Sequence, residues 1–278
     1  INARLPRLVE WLGATAPDIV CLQELKTPQE RFPAMALQAA GYASVWHGQK
    51  SWNGVAILAK QRPVERCRVL PGDPEDSHSR YLEAEVAGVV MGCLYLANGN
   101  PTPGPKFSYK PRWLERLQAH AAELLARGEP VVLAGDYNVI PTELDVYAPE
   151  RWVDDALFRP EVRAAYRDLV AQGWTDALRA LNPDRRVYTF WKYLRNASAR
   201  ESLAGYLERF GDAWVQQQKT GAQHLVRLRP LAEYRHMEDP DEPNLMLQEY
   251  IPGGDDQVYI FNGYFHRNSD CLVGFTAF

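Results

Sequence analysis

Asp136 and Asn138 stand two positions apart in Gly135-Asp136-Tyr137-Asn138-Val139, directly after the apolar run Val131-Val132-Leu133. Two further polar clusters share that setting. Gln23-Glu24-Leu25-Lys26 follows Ile19-Val20-Cys21-Leu22, and Tyr95-Leu96-Ala97-Asn98-Gly99-Asn100 closes the run that begins at Val89. Strand ends of this kind are where side chains distant in sequence converge on one cleft. Carboxylates and amides are hard oxygen donors, suited to Mg²⁺ or Mn²⁺ rather than zinc. Hydrolysis of a phosphodiester needs a deprotonated water, neutralised non-bridging oxygens and a stabilised leaving oxygen. In that chemistry Asp136 takes the water's proton, Asn138 grips a phosphate oxygen, and Tyr95 donates to the phosphate or the leaving group. Alternation along an extended segment would point Asp136 and Asn138 the same way. Plainer roles compete: Asp and Asn before Pro141 also favour turns, Glu24 could be a solvated strand end, and a tyrosine is by default a core residue.

Apolar periodicity supplies the elements that must carry these clusters. Leu5, Leu8, Val9 and Leu12 predict an opening helix stopped at Gly13. Short apolar runs predict strands at 19–22, 54–58, 81–86, 89–96 and 131–133, the third and fourth joined across Ala87-Gly88. Trp113, Leu114, Leu117, Ala121, Leu124 and Leu125 mark a strong amphipathic helix over about 110–127, with Gly128 ending it. Two more helices are expected at about 163–172 and 176–181. Helices and strands interleave, so the class is α/β or layered α+β. Lys106, Lys110 and Arg112, after the Gly/Pro-rich loop 98–105, could form a phosphate-contacting surface or an ordinary solvated helix start. His120 reads as an exposed helix residue, and His78 as a loop residue.

The bulk composition is that of a globular chain: 46% apolar and 24% charged over 278 residues. No run of some 18 apolar residues offers a membrane span. The four cysteines are scattered and form no C-x-x-C pair, which fits a reducing, cytoplasmic setting. The net charge of −4 is unevenly spread. From residue 198 onward seven Lys and Arg face twelve Asp and Glu, leaving a near-neutral first part of 24 against 23. A local basic rim is enough to meet phosphates, so the charge neither requires nor excludes nucleic acid.

Five segments together resemble the exonuclease III and AP endonuclease family of the endonuclease/exonuclease/phosphatase superfamily. They are residues 19–26, 52–58, 95–98 and 134–139, with Tyr188-Thr189-Phe190-Trp191, in family order over about 1–197. The resemblance implies two packed, mostly antiparallel sheets flanked by helices. It implies Glu24 as metal-binding glutamate, Tyr95, Asp136 and Asn138 as catalytic residues, and Asn98 as a substrate contact, to which the surface after the loop 98–105 adds Lys106 and Lys110. It also implies Mg²⁺ or Mn²⁺ as cofactor and, as substrate, double-stranded DNA cut at abasic sites or 3′ ends by a monomer.

Against the family pattern the chain is expected to lack the opening strand with its Asn, the closing aspartate strand and the Ser-Asp-His segment, and so to be an impaired nuclease. A boundary is expected near 198. Residues 247–256 resemble the hinge of ATP-grasp ligases, which would make 198–278 an incomplete ATP-grasp-like α+β segment, Glu249 a nucleotide contact and ATP a second cofactor. The alternatives are thus a carboxylate–amine ligase fragment or a catalytically dead fusion.

Overall fold

The computed structural model describes residues 1–146 and 148–190, and beyond these only the backbone of six short strands. Two compact units emerge, Ile1–Val187 with Tyr259–Phe278, and Tyr188–Val258.

In the first unit, α1 (Leu5–Thr15) leads into β1 (Ile19–Gln23), then α2 (Ala34–Ala39), β2 (Ala43–His47), β3 (Val55–Ala59) and β4 (Val64–Cys67). After these come β5 (Tyr81–Val86), β6 (Val89–Tyr95), α3 (Pro105–Ala126), β7 (Val131–Asp136), α4 (Pro160–Ala171) and α5 (Ala177–Leu181). They form two sheets, β1-β3-β2 and β4-β5-β6-β7. Every pairing is antiparallel except β6 with β7, which are parallel and joined by the crossover helix α3. The expected pair of mostly antiparallel sheets flanked by helices is the observed architecture.

Period-two burial makes the layers. Ile19, Cys21, Val55, Ile57 and Ala59 of the first sheet meet Leu82, Ala84, Val86, Met91, Cys93, Tyr95 and Ala134 of the second. The alternate residues Val20, Ala56 and Leu58 turn outward against Leu8 and Leu12 of α1 and Leu37 of α2. On the other side Tyr81 and Leu94 pack under Trp113, Leu114, Leu117 and Ala121 of α3 and Val162 and Leu169 of α4. Each sheet therefore buries both faces.

The strands read from apolar runs are present within a residue or so, except that β7 runs three residues further than expected, to Asp136. β2 and β4 were not foreseen because β2 is half-buried throughout and β4 mostly exposed, so no continuous apolar run marks them. Helix α3 starts at Pro105 rather than near 110, with proline in its first turn, where no N–H is needed. His120 is corrected from exposed to buried, at 4% exposure. Its place three residues after Leu117 and four before Leu124 lies inside the apolar stripe, and Glu83 meets its Nε2 at 2.9 Å.

The second unit contains β8 (Tyr193–Leu194), β9 (Trp214–Lys219), β10 (Ala222–Arg227) and β11 (Leu245–Gln248), in one sheet ordered β10-β9-β11-β8. β12 (Tyr264–Phe265) pairs with β13 (Cys271–Leu272). Glu249 and most of 198–278 lie outside the described residues.

Candidate active site

β6 and β7 run parallel in register, so that Tyr95 stands beside Asp136 at the last pair of the ladder. Both continue the inward-facing set of their strands, after Cys93 and Ala134. β1 of the facing sheet packs against the same two strands and ends at Gln23, one residue before Glu24. Three chain segments more than 40 residues apart thereby deliver their polar ends to one edge of the inter-sheet layer.

Local backbone conformation completes the placement. Glu24 has φ +51°, a left-handed conformation that breaks the strand and is uncommon for a glutamate. The turn is held by Leu25 N–H donating to Gly54 O at 3.2 Å and Lys26 N–H donating to Asn53 O at 3.1 Å. Glu24 then accepts from the Tyr95 hydroxyl at 2.5 Å through Oε1, and from Lys26 Nζ at 2.8 Å through Oε2. Gly135 has φ +144°, and a Cβ there would come within 1.9 Å of the Leu94 carbonyl oxygen. Only glycine lets β7 approach β6 this closely before Asp136.

Asp136 and Asn138 do come together, but by a turn and not by strand alternation. Asn138 is left-handed at φ +46°. Its backbone N–H donates to Asp136 Oδ1 at 2.8 Å, and its side-chain Nδ2 donates to Asp136 Oδ2 at 3.0 Å. The strand ends at Asp136, so the aspartate caps its own turn, the habit of Asp and Asn noted in the sequence. The turn reading of the pair is thus observed, and it brings the two side chains together. Asn98 Nδ2 donates to Asn138 Oδ1 at 3.3 Å, bringing a second amide alongside. Asn100 and Asp155 support it: Asn100 Nδ2 donates to Asp155 Oδ1 at 2.9 Å and to Asn98 Oδ1 at 2.8 Å.

The electrostatics are those of a carboxylate pair short of positive charge. Burial pushes the Asp136 carboxyl up to about 6; the Asn138 N–H and the Lys110 ammonium act against this, and the charge of Glu24 adds to it. Burial, and then Glu24, also raise the Tyr95 hydroxyl, which keeps it a proton donor. Among the described residues no three His, Cys, Asp or Glu side chains gather into a self-contained metal cage. Two carboxylates with neighbouring amides still suit Mg²⁺, which keeps several waters and takes one or two carboxylates plus substrate phosphate. The donor set fits such an ion.

Lys106 is exposed, as a phosphate-contacting position requires. Lys110 is not on that surface. It is completely buried, because the helix begins earlier than expected and turns this residue inward, where its Nζ donates to backbone carbonyls of Asn98 and Asn138. Arg80 was missed in the sequence: its guanidinium lies 4.7 Å from the Tyr95 ring centre and donates to the Tyr95 carbonyl at 3.1 Å. The signal was available, since counting outward from the Ala87-Gly88 turn sets Arg80 opposite Tyr95. His78 is tied to Asp76 at 2.8 Å, and Tyr109 and Arg116 hold the same carboxylate.

The family model for the Endonuclease/Exonuclease/phosphatase family matches residues 1–223. The chain belongs to that family. It is 32% identical over 197 residues to the DNA repair nuclease APEX1 of Danio rerio, covering 69% of this chain and 63% of that one. It is 33% identical over 203 residues to the exodeoxyribonuclease III of Haemophilus influenzae, covering 69% and 76%. The chain thus spans less than two thirds of the zebrafish relative. Among solved structures, an AP endonuclease from Archaeoglobus fulgidus superposes with TM-score 0.66 at 28% identity, over 91% of this chain and 96% of that one. The 3′-5′ exonuclease NExo of Neisseria meningitidis does so with TM-score 0.66 at 32% identity, over 90% and 95%.

Family members generally depend on a divalent metal. The family match runs past the boundary expected near 198, and the ATP-grasp-like reading of the tail is not borne out. No helix among the described residues is long and apolar enough to cross a membrane.

Proposed function

We propose that this chain is a Mg²⁺-dependent DNA-repair nuclease that hydrolyses phosphodiester bonds of duplex DNA at abasic sites or 3′ ends. The observation that carries the reading is the convergence of Glu24, Tyr95, Asp136 and the Asn98–Asn138 pair at the coincident ends of β1, β6 and β7. The named relatives include a DNA repair nuclease, an exodeoxyribonuclease and an AP endonuclease, which supports DNA as the substrate.

In this reading Glu24 and Asp136 would hold the metal. The ion supplies charge neutralisation of the phosphate and acidification of a bound water. The protein's own groups do the rest. Asp136, poised near 6, orients the attacking water and accepts its proton. Asn98, exposed and with one amide N–H still available, donates to a non-bridging oxygen. Asn138, whose Nδ2 is held by Asp136 and the Leu96 carbonyl, orients Asn98 and Asp136. The Tyr95 hydroxyl donates toward the phosphate or the leaving oxygen. Lys106 meets the flanking backbone as a point charge. A 3′ phosphatase from Neisseria has the same fold at 30% identity, so a terminal phosphomonoester is the natural third substrate to try.

The test is a panel of three labelled duplexes, carrying an abasic site, a recessed 3′ end or a 3′ phosphate, incubated with Mg²⁺ or with chelator. Metal-dependent cleavage of at least one, lost in Asp136→Asn, is the expected result. No cleavage of any of the three, or cleavage indifferent to Asp136→Asn, would sink the reading.

A further inference from the structure

Burying an ammonium is costly unless its N–H groups and its charge are both met. Lys110 is buried with none of its surface exposed, and burial alone would drive its proton off, lowering it to about 7 against the pull of Asp136 and Asp155. What it receives in exchange is specific. Its Nζ donates to the Asn98 carbonyl at 2.9 Å and also to the Asn138 carbonyl. These are the same two residues whose side-chain amides meet at 3.3 Å, 40 positions apart in the chain. The stem reaches them through the gap left by Gly99, where a Cβ would come 3.0 Å from Lys110 Cδ and 3.1 Å from Ala156 Cβ. A residue kept only for packing could be Met or Leu, which have the bulk and no desolvation cost. What lysine alone adds is a pair of donors to two loops and a positive charge beside Asp136.

We propose that Lys110 is a positioning residue for the Asn98–Asn138 amide pair of the site. Its ammonium clamps the loops after β6 and β7 so that Asn98 and Asn138 present their side chains together. The proposal rests on the nuclease reading for its consequence in catalysis, but not for the clamp itself. Lys110 touches no substrate; it acts through the two asparagines and through the charge it places beside Asp136.

The experiment uses the full chain labelled with ¹⁵N, as wild type and as Lys110→Met. The side-chain NH₂ resonances of Asn98 and Asn138 are identified from Asn98→Asp and Asn138→Asp. In Lys110→Met both pairs are expected to shift or broaden and the Asn138 NH₂ to exchange with solvent at least tenfold faster, while that of Asn182, remote from the clamp, stays put. On a cleaved duplex kcat is expected to fall about 100-fold with KM within threefold, and Lys110→Arg, which keeps charge and donors, to recover at least part of it. A lysine that merely fills space would lower the melting temperature and leave both the amide signals and the kcat of folded protein unchanged; that result overturns the proposal. Should wild type cleave no duplex, the nuclease reading fails while the amide signals still decide the clamp. If Lys110→Met does not fold, wild type at pH 6 is examined for couplings across the hydrogen bonds from Lys110 Nζ to the Asn98 and Asn138 carbonyl carbons. Their presence supports the clamp and their absence removes it.

Discussion

Two desolvated carboxylates on the second sheet have opposite fates, Glu83 fully buried and Asp136 partly so. Glu83, on β5, lies under α3; burial would raise its pKa, but His120, the Tyr81 hydroxyl and Arg127 overcome that and hold it below the ordinary glutamate range. The contacts are close, with Tyr81 Oη donating at 3.0 Å and His120 Nε2 at 2.9 Å. Asp136, at the end of β7, is likewise desolvated, and here burial outweighs the Asn138 N–H, Lys110 and Arg80, with Glu24 adding to it, so that it ends near 6. One network is internally compensated and serves the fold. The other is left short of positive charge, which is what a site awaiting a cation and a phosphate looks like. The contrast shows that burial of a charged group does not mark function; incomplete compensation does.

The largest effect expected from this contrast is on catalysis. Glu24→Gln or Asp136→Asn should cost about a hundred- to a thousandfold in kcat on whichever duplex is cleaved, whereas Glu83→Gln should leave the kcat of folded protein within about threefold. Steady-state kinetics on the three variants reads this directly, and comparable losses in all three would erase the distinction.

Stability should respond the other way round. Glu83→Ala strands His120 and Arg127 without their partner and should cost about 3 kcal/mol, a drop in melting temperature on the order of 6–12 °C for a domain of this size. Gly135→Ala forces a methyl against the Leu94 carbonyl and should cost more than about 2 kcal/mol through backbone displacement. Calorimetry of each variant at pH 7 tests both, and a Gly135→Ala protein as stable as wild type would contradict the close approach of β6 and β7.

Smaller, and of opposite sign, is the effect of neutralising the strained carboxylate. The Asp136 pKa is raised from 3.8 to about 6, so the group favours folding only while protonated. Its cost is absent well below pH 4, accumulates as pH rises from about 4 to about 6 and is constant above that. Asp136→Asn should therefore be more stable than wild type at pH 8, by roughly 1 kcal/mol after solvent screening, and no more stable at pH 4. Glu83 behaves conversely: its contribution stands above the ordinary glutamate range and is lost as acid protonates it. Mg²⁺ at pH 8 should raise the melting temperature of wild type and not of Asp136→Asn. An Asp136→Asn protein destabilised at pH 8 would mean that its carboxylate is compensated after all. Last, Lys106→Ala should change stability by less than about 0.5 kcal/mol, being exposed, and act only through a modest, salt-dependent rise in KM.

Much of this was legible in the residues themselves. The apolar runs of β1, β3, β5 and β6 are dictated by burial on both faces and the stripe of α3 by burial of one, which leaves a strong periodic signal; β7 shows the same apolar run although Val132 is exposed. The polar clusters at their ends announce themselves because a hydrophilic residue terminating a buried strand has few other places to be. What sequence could not deliver is compensation and reach. Local pattern separates Asp136, in a polar cluster at a strand end, from Glu83 inside a strand, and sets His120 within the stripe of α3. It does not say which charges are compensated or that Lys110 turns inward, because partners 28 and 37 positions away settle those outcomes. Edge strands β2 and β4 escaped for a related reason, their pairing being supplied by neighbours rather than by their own composition. The sequence by itself determined the layers, the strand ends and the types of group placed there. Tertiary structure decided which of those groups meet and which charges stay uncompensated, since both depend on distances that close only when the two sheets pack.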